Sequence, residues 1–384
     1  MSDWRQGGFG LYVHWPFCAA KCPYCDFNSH VASTIDHARW RHAYLAEIDR
    51  IGAETQGRVL NTVFFGGGTP SLMDPETVAK VIERIRATWP TANDLEITLE
   101  ANPTSVESGR FRAFSEAGVT RLSMGMQAME DESLKRLGRM HNAAEGRAAF
   151  DIARAHFDRV SFDLIYARQG QSLEAWAREL NEALSMAVDH FSLYQLTIED
   201  GTAFGRLFAA GKLRELPEDE LAADMYLRTQ EICEAAGLPA YEVSNHARPG
   251  AECRHNLVYW RYGDYAGIGP GAHGRLSFNG TRYATEAPKA PGEWLARVER
   301  EGNGETPREA LSRDEEATEF LLFGLRLTEG IDPARYEQLS GRSLPEQALN
   351  NLESWGMIAR DAHRIRATGE GRAVLNAVIR ELMP

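Results

Sequence analysis

The sequence predicts an α/β fold: a partial (βα)6 barrel, like an incomplete TIM barrel, followed by a small winged-helix-like α+β domain. Two observations predict the barrel. Short apolar runs recur as far as residue 247, and a helical pattern follows each of the early ones. Near-continuous hydrophobicity is typical of parallel strands that are buried on both faces. Repeated strand–helix units imply a parallel sheet with right-handed crossovers.

Seven apolar runs are predicted as strands. Six of them begin before residue 200, which favours a partial or open barrel over a closed one. The predicted strands span residues 11–17, 62–68, 95–102, 121–127, 159–167, 190–199 and 240–247. Helices are predicted between them, for example over residues 34–51, 74–89 and 172–187. Asp74 before Pro75, and Ser105 before Glu107, are typical of residues at which helices begin.

The chain is predicted to divide into three parts. Residues 1–247 form the barrel, residues 248–311 a connecting segment rich in glycine and aromatic residues, and residues 312–384 the C-terminal domain. Within the connecting segment, the glycine-rich stretch 263–280 predicts a loop or a few strands, not a helix. After residue 312, helical patterns precede a short strand pair and a last helix, which is typical of a small winged-helix-like domain.

Composition restricts the classes of function. The formal net charge of −13 argues against nucleic acid as the main partner, because backbone binding needs clustered Lys and Arg. No apolar run approaches the ~18 residues that span a bilayer, and the N-terminus lacks the apolar core of a secretory signal. We therefore expect a cytoplasmic protein, in which disulfides are disfavoured and clustered thiols are metal ligands or catalytic groups. Cys233, in a helical pattern, is expected to be a buried free thiol.

Three of the five cysteines, Cys18, Cys22 and Cys25, lie within eight residues in a C-x3-C-x2-C pattern after the first predicted strand. Structural zinc normally takes four protein ligands, usually as two separated pairs. Three cysteines with no obvious fourth fit a [4Fe–4S] cluster in which one iron stays open to another ligand. The alternatives are a zinc loop completed by His14 or His30, and three unligated thiols. Thiolates this close repel one another unless a cation compensates them.

Polar residues at the ends of later strands indicate the rest of the site, because α/β barrels place their chemistry at the carboxyl ends of strands. The stretch FFGGGTPS has three glycines, which let the backbone approach a ligand, and the hydroxyl of Thr69. It lacks the lysine of a phosphate-binding loop, and a tight turn without function is the alternative. Glu100, Gln127 and Asp163 lie on successive strands, where polar groups are costly unless they are paired or liganded. Arg139 is a suitable bidentate partner for a carboxylate.

The cysteine pattern, with the aromatic Tyr24 just before the third cysteine, resembles the radical SAM superfamily, whose open iron binds S-adenosylmethionine. Nearly the whole chain further resembles the HemN/HemW family. The motifs that carry this resemblance are LYVHWPFCAAKCPYCDFNS, FFGGGTPSL, LEANPTS, RLSMGMQAMEDESLKRLGRMHN, HFSLYQLTIEDGTAF, YEVSNHARPGAECRHNLVYWRYGDYAGIGPGAHG and FLLFGLRLTEGID. The resemblance implies that the cluster ligands are Cys18, Cys22 and Cys25. The S-adenosylmethionine contacts that it implies are Tyr12, Tyr24, Gly67, Gly68, Thr69, Glu100, Gln127, Arg139 and Asp163.

Two activities compete within that family. One is the oxygen-independent coproporphyrinogen III dehydrogenase, which decarboxylates porphyrin propionates, and the other is a haem chaperone. The dehydrogenase branch has a further cysteine two residues after the third, where this chain has Phe27. HNLVYW resembles the HNxxYW motif linked to haem binding, so His255 is the expected axial haem ligand, with Tyr259 and Trp260 packing on the macrocycle. Cys253, two residues away, is expected to be an ordinary thiol, with a thiolate ligand as the alternative. The chemistry of His255 alone favours a loop histidine that pairs with backbone.

The resemblance therefore implies a protein that binds a [4Fe–4S] cluster, S-adenosylmethionine and haem, uses an electron donor, and delivers haem to acceptor haem proteins. The dehydrogenase and another radical SAM enzyme, such as a HemN-type methyltransferase, are the alternatives, so whether the protein is an enzyme stays open. One loop departs from the family pattern. The chain has YARQGQS where a sequence like YGLPGQT is usual, which leaves the shape of the loop after the fifth strand open.

Overall fold

The computed structural model describes residues 4–186 and 189–383, so residue 187, the end of one predicted helix, lies outside the described residues. The strands are β1 (Phe9–Trp15), β2 (Phe17–Cys18), β3 (His30–Val31), β4 (Leu60–Gly67), β5 (Thr91–Ala101), β6 (Arg121–Gln127), β7 (Arg159–Tyr166), β8 (His190–Gln195), β9 (Asn245–Ala247), β10 (Asp264–Ile268), β11 (His273–Phe278), β12 (Thr281–Glu286), β13 (Glu309–Ala310), β14 (Ile358–Arg360) and β15 (Ile365–Ala367). The α-helices are α1 (Trp4–Gly7), α2 (His37–Glu54), α3 (Pro75–Thr88), α4 (Ser105–Ser108), α5 (Phe111–Glu116), α6 (Asp131–Arg136), α7 (Ala143–His156), α8 (Leu173–Ser185), α9 (Ala203–Ala209), α10 (Asp219–Ala235), α11 (Arg254–Trp260), α12 (Pro291–Glu301), α13 (Arg313–Gly324), α14 (Pro333–Ser340), α15 (Glu346–Ser354), α16 (Gly369–Ala373) and α17 (Leu375–Leu382).

Eleven strands form one mixed sheet, in the order β13-β12-β11-β10-β1-β4-β5-β6-β7-β8-β9. The seven strands from β10 to β8 pair in parallel, and the strands outside them pair antiparallel. The two end strands, β13 and β9, do not pair with each other over residues 4–186 and 189–383. The predicted α/β partial barrel is confirmed, and its first six predicted strands are all parallel members of the sheet.

The last predicted strand and one predicted helix cap are wrong. The sequence predicts a parallel strand over residues 240–247, but the structure has only the short β9, which is antiparallel to β8. The seventh parallel strand is β10, inside the glycine-rich stretch, where a charged residue and a glycine weaken the hydrophobic pattern. Thr104 caps α4, not Ser105, because the Thr104 side chain accepts a hydrogen bond from the Glu107 N–H. The connecting segment also contains two helices, α11 and α12.

The hydrophobic core divides into a large part under the barrel helices and a smaller part in the C-terminal domain. Val78 and Ile82 of α3 belong to the same buried cluster as Val63 and Ile97 of the sheet. Each such side chain contributes about 1.5–3 kcal/mol when fully buried. Helices α13–α17 and the β14–β15 hairpin share a second cluster, in agreement with the predicted winged-helix-like domain. Cys233 is fully buried on α10, as predicted. Within residues 4–186 and 189–383, every helix is too short or too polar to cross a membrane.

Asp264 fixes the start of β10, the strand that closes one side of the parallel sheet. Its carboxylate is fully buried. Arg58 Nη1 donates to Asp264 Oδ2 at 2.6 Å, and Arg282 Nη1 donates to Oδ1 at 2.9 Å. The Ser277 hydroxyl donates to Oδ1 at 2.9 Å. The two buried guanidinium groups are therefore neutralised by a single carboxylate.

We expect Asp264→Asn to lower the free energy of unfolding by about 3 kcal/mol or more, because it leaves two buried arginine charges without a counter-charge. Urea denaturation of the full chain measures the change. Asp94→Asn is the matched control, since Asp94 pairs with Arg254 at an exposed position, where an ion pair contributes about 1 kcal/mol or less. Equal stabilities for the two variants would contradict the role assigned to Asp264.

Candidate cofactor site

The cysteine loop, residues 18–30, leaves the barrel on β2 and returns on β3, and these two short strands pair in parallel. A cavity of about 380 Å³, which we call the cofactor cavity, is lined by all three predicted cluster ligands: Cys18, Cys22 and Cys25. Asn28 anchors the end of the loop, because its Nδ2 donates to the carbonyl oxygens of Pro270 and Lys289, each at 2.9 Å. The loop is therefore held by the barrel at its start and by the connecting segment at its end.

The glycine turn, residues 66–69, lies directly against the strand that leads into the first cysteine. Gly68 N donates to Trp15 O at 2.7 Å, and Thr69 N donates to Phe17 O at 2.9 Å. The Thr69 hydroxyl donates to Cys18 Sγ at 3.3 Å. A Cβ at Gly68 would meet backbone atoms of Phe17 at 2.8 Å. A side chain cannot be accommodated there, so this glycine is required to seat the cysteine loop.

Cys18 and Cys25 are weakly acidic in the absence of a cation. Burial raises the pKa values of Cys18 and Cys25 above the ordinary thiol value, although the Thr69 hydroxyl opposes the rise at Cys18. Metal ions bind thiolates and displace the protons. A cationic cluster would therefore replace protons that these side chains otherwise keep.

The alternative of a zinc loop is not supported by the geometry. No three His, Cys, Asp or Glu side chains in the described part of the chain converge closely enough to hold one metal ion. His14 has both ring nitrogens engaged, with Tyr12 OH at 3.1 Å and Asn28 O at 2.9 Å. His30 Nε2 lies 3.1 Å from Asn28 Oδ1. Cysteines that bind different irons of a cluster need not converge on one point, as zinc ligands must.

Arg139 also lines the cofactor cavity. Its Nη1 donates to Cys22 Sγ at 3.5 Å, and its Nη2 donates to Gly125 O at 2.7 Å and Asn102 Oδ1 at 2.5 Å. Asn102 Nδ2 in turn donates to the Thr69 hydroxyl at 3.1 Å. Arg139 Nε is buried and has no hydrogen-bond partner among the described residues. An unsatisfied buried N–H is costly, and a guanidinium that lines a cavity is a suitable partner for a ligand carboxylate.

Sequence reasoning missed Asn102, although it follows Glu100 by two residues and comes directly after β5. Its side-chain amide donates to the Thr69 hydroxyl and accepts from Arg139, so it links the glycine turn to Arg139. The signal that could have found it is its place directly after a buried strand, the same signal that selected Glu100, Gln127 and Asp163.

Two acidic side chains, Glu100 and Asp163, occupy the floor of the cavity. Burial, with a smaller effect of Asp163, raises the pKa of Glu100 to about 8, and the hydrogen bond from Gly67 N, at 3.3 Å, opposes the rise. Burial also raises the pKa of Asp163 to about 6, against hydrogen bonds from Ser192 and Ser123. Burial thus outweighs the opposing charge of Arg121 on the pKa values of both acids, and that of Arg139 on the pKa of Asp163. A cationic ligand in the cavity would favour their ionised forms.

Tyr24 and Gln127 complete the set that lines the cavity. The Tyr24 ring packs 6.5 Å from the ring of Phe204, and burial raises the pKa of its hydroxyl, so the ring is neutral. Gln127 ends β6 with a φ of 67°, a left-handed conformation that is costly for a residue other than glycine. Strain of this kind concentrates at binding sites. The cofactor cavity thus brings together eleven predicted residues: Cys18, Cys22, Tyr24, Cys25, Gly67, Gly68, Thr69, Glu100, Gln127, Arg139 and Asp163.

Tyr12 and His255 lie outside the cofactor cavity. Both line a smaller inner cavity of about 190 Å³, which also contains Glu100 and Asp163. Tyr12 faces the carboxyl end of the barrel as well, where it lines a third, larger cavity. The contact between Tyr12 and S-adenosylmethionine stays a prediction; the inner cavity that Tyr12 lines shares Glu100 with the cofactor cavity.

His255 is on α11, with its ring in the barrel interior. The ring is 1% exposed and stacks on Phe64 with centroids 5.2 Å apart. Nδ1 lies 2.8 Å from the Thr62 hydroxyl, and Nε2 lies 2.6 Å from the Tyr259 hydroxyl. Burial lowers the pKa of His255 to about 3, so the ring is neutral. The haem-ligand role of His255 stays a prediction, and a ring with both nitrogens engaged gives it no support. Cys253 is also buried, with Sγ 3.7 Å from a Glu96 oxygen.

The loop after β7, in which the sequence departs from the family pattern, has a defined shape. Ala167 adopts a φ of 55°, the left-handed conformation that suits the glycine usual at this place. Arg168 Nη2 donates to Glu179 Oε2 at 2.6 Å, and Gln171 Nε2 donates to the same oxygen at 3.0 Å. This buried ion pair holds the loop against α8 in place of the missing proline turn.

Family models and relatives agree with the geometry. A model described as the Radical SAM superfamily matches residues 12–183, and one described as the HemN C-terminal domain matches residues 311–374. Heme chaperone HemW of Escherichia coli is 36% identical to this chain over 96% of both chains. Heme chaperone HemW of Mycobacterium tuberculosis is 37% identical, over 98% of this chain and 95% of that protein. The chain belongs to the HemN/HemW family of radical SAM proteins.

Further relatives of this family extend to animals. Radical S-adenosyl methionine domain-containing protein 1, mitochondrial, of Bos taurus is 38% identical over 97% of this chain and 87% of that protein. Among solved structures, coproporphyrinogen III oxidase (HemN) from Escherichia coli matches 98% of this chain and 90% of its own, with a TM-score of 0.82 and 22% identity. At that identity the match shows a shared fold. The predicted family and fold class are both confirmed.

We expect Gly68→Ala to lower the iron bound after anaerobic reconstitution from about four per chain to a small fraction of that. The added Cβ would collide with the backbone next to Cys18 and unseat the cysteine loop. Gly292→Ala is the matched control, because a Cβ there meets no atom within 4 Å. Iron and sulfide analysis measures the effect. Full iron content in the Gly68 variant would contradict the role of the glycine turn.

The raised pKa of Glu100 gives the cofactor-free chain a defined pH dependence. The folded protein holds this proton up to pH 8, whereas the unfolded chain releases it near the ordinary glutamate pKa. The unfolded state therefore binds fewer protons between about pH 4.5 and 8, and stability falls as the pH rises through that window. Glu100→Gln removes the effect.

The expected result is that Glu100→Gln becomes more stable relative to the wild type, by on the order of a few kcal/mol, between pH 5 and pH 8. Chemical denaturation at both pH values measures the difference, with the exposed Glu132→Gln as control. A difference between variant and wild type that does not change with pH would show that Glu100 titrates normally.

Proposed function

We propose that this chain holds a [4Fe–4S] cluster on Cys18, Cys22 and Cys25, binds S-adenosylmethionine beside it, and binds haem that it delivers to acceptor haem proteins. The cofactor part of this proposal rests on one observation. Eleven predicted residues, from six separate segments of the chain, line one cavity. Thiols, a partly buried arginine and two partly buried carboxyl groups line the cavity and are complementary to a cluster and a zwitterionic, cationic ligand.

The residues of the cavity have distinct roles in this proposal. When bound, the cluster and S-adenosylmethionine together supply reductive radical chemistry, driven by an external electron donor. Arg139 would pair with the ligand carboxylate, and Glu100 and Asp163 would stabilise the cationic groups. Tyr24, neutral and partly buried, would pack against the adenine. Bound S-adenosylmethionine is expected to lower the pKa values of both carboxylic acids, because it brings positive charge to the floor of the cavity.

Haem delivery is favoured over porphyrinogen decarboxylation by two observations. Phe27, which is 59% exposed, stands where the dehydrogenase branch has a further cysteine. The relatives called heme chaperone match nearly the full length of this chain at 36–37% identity. The coproporphyrinogen III oxidase from Escherichia coli shares the fold at 22% identity. A HemN-type methyltransferase would use the same cofactor cavity, and it would consume S-adenosylmethionine only with a substrate that is not a porphyrin.

The compartment in which this protein would work depends on where the haem proteins that receive its haem are located. We propose the cytoplasm, in agreement with the free thiols, none of which forms a disulfide. The animal relatives carry the word mitochondrial in their names, so a compartment with its own haem proteins is the alternative.

The proposal is tested by two assays on cluster-reconstituted protein. We expect a saturable Soret shift on titration with haem, followed by transfer of that haem to an apo-haem protein such as apomyoglobin. We expect no protoporphyrinogen IX when the reduced protein is incubated with coproporphyrinogen III and S-adenosylmethionine. Formation of that product would identify the protein as a dehydrogenase. Absence of a saturable Soret shift would refute haem delivery.

A further inference from the structure

A cavity of about 700 Å³ opens at the carboxyl end of the barrel, next to the cofactor cavity. We call it the mouth cavity. It shares several lining residues with the cofactor cavity, namely Lys21, Phe27, Ser29, Gly67 and Glu100. Its volume falls within the range of about 300–1,000 Å³ that is typical of sites for small organic ligands. A ligand here would lie beside the cluster loop.

Aromatic side chains form much of the wall of the mouth cavity. Tyr259 and Trp260 come from the HNLVYW motif on α11, Tyr265 from β10, and Phe323 from α13. The Tyr259 and Tyr265 rings are 4.4 Å apart, and the Trp260 and Phe323 rings are 5.8 Å apart. Flat aromatic surfaces bury a large apolar area at a small cost in conformational entropy, which suits a planar macrocycle. The motif thus contributes its Tyr and its Trp to this cavity, but not its His.

His273, at the first residue of β11, also lines the mouth cavity and is more than half exposed. Its nearest acidic group, Glu286 Oε1, is 3.9 Å from Nε2, too far for a hydrogen bond. Burial and the neighbouring Arg275 and Lys289 lower its pKa against the opposing effect of Glu286, so the ring is neutral at pH 7. A neutral imidazole with accessible nitrogens is a suitable haem-iron ligand.

The other histidines near the mouth are less suitable. His14 has both nitrogens in hydrogen bonds, and His30 uses Nε2 to hold Asn28, the anchor of the cysteine loop. His255 is buried beneath Tyr259 with both nitrogens engaged. Ligation by His255 would break the hydrogen bond that holds the Tyr259 ring in the cavity wall. His255 is therefore a positioning residue for Tyr259.

Two lysines supply positive charge at the rim. Lys21, from the cysteine loop, and Lys289, after β12, line the mouth cavity and are exposed. The acidic lining residues are Asp26 and Glu100, and Glu100, with its pKa near 8, is mostly neutral at pH 7. The cavity therefore offers a cation for each of two carboxylates, and charge-assisted pairs are the stronger class of hydrogen bond.

We propose that haem binds in the mouth cavity with His273 as an axial ligand of the iron and with Lys21 and Lys289 paired to the propionates. The inference rests on the proposed haem-binding function and names the site and the ligand. It places haem against the aromatic wall that Tyr259 and Trp260 form, with its edge toward the cofactor cavity.

The test is titration of the full-length, cluster-reconstituted chain with haem and, separately, with metal-free protoporphyrin IX. We expect His273→Ala to weaken haem binding about tenfold or more and to change the Soret position and the EPR spectrum of ferric haem. Protoporphyrin IX binding should change little, because it uses the aromatic wall and the lysines but has no iron. Free imidazole should restore the wild-type spectrum of the variant. Circular dichroism checks that the variant is folded.

Control variants separate the possible ligands. His156→Ala, at an exposed position outside the mouth cavity, should match the wild type. His255→Ala should keep the axial-ligand spectrum but weaken the binding of both haem and protoporphyrin IX, because Tyr259 loses its hydrogen bond. Lys289→Glu should weaken the binding of both haem and protoporphyrin IX without altering the spectrum of the iron. This variant also tests the site if His273→Ala does not fold. Loss of the axial spectrum in His255→Ala or His30→Ala, with His273→Ala unchanged, would overturn the inference and leave haem binding intact. Absence of saturable haem binding by the wild type would refute both proposals.

Discussion

The backbone contact between the glycine turn and the strand before Cys18 is the interaction on which the rest of the site depends. Gly68 and Thr69 donate to the carbonyl oxygens of Trp15 and Phe17, and the Thr69 hydroxyl reaches Cys18 itself. Because Trp15 ends β1 and the turn follows β4, the contact joins two neighbouring parallel strands at their carboxyl ends. Main-chain hydrogen bonds therefore position the start of the cysteine loop before any cofactor binds.

Charge is arranged around this framework in two opposed groups. Arg139 faces the thiols from one wall, and Glu100 and Asp163 lie on the floor with their pKa values raised by burial. Neither acid gains full compensation from its own neighbours, and one N–H of the arginine is unpaired. Such groups lower the stability of the protein without its ligand. A ligand that brings the complementary charges restores that stability. Ligand binding and stability should be coupled for this reason.

Sequence reasoning succeeded where function depends on residues close together along the chain or at strand ends. The C-x3-C-x2-C pattern, the glycine turn and the polar strand ends are local signals, and a parallel sheet necessarily brings such ends to one edge. It predicted a loop or a few strands for residues 263–280, where the structure has β10 and β11, but it did not identify β10 as a parallel strand of the barrel. The weak apolar pattern of β10 is compensated by pairing with β1 and by the buried Asp264. Sequence reasoning could not place His255 either, because the motif shows neither that α11 enters the barrel nor that Thr62 takes one ring nitrogen. That contact joins residues 193 positions apart.

The central claim is that three cysteines hold a [4Fe–4S] cluster and leave one iron open to S-adenosylmethionine. EPR spectroscopy of the anaerobically reconstituted, dithionite-reduced chain tests it most directly, recorded before and after S-adenosylmethionine is added. The account predicts the signal of a reduced [4Fe–4S] cluster whose g values shift on addition, because the nucleotide binds the open iron. A signal that is identical in both samples, or protein that retains zinc in place of iron, would contradict it.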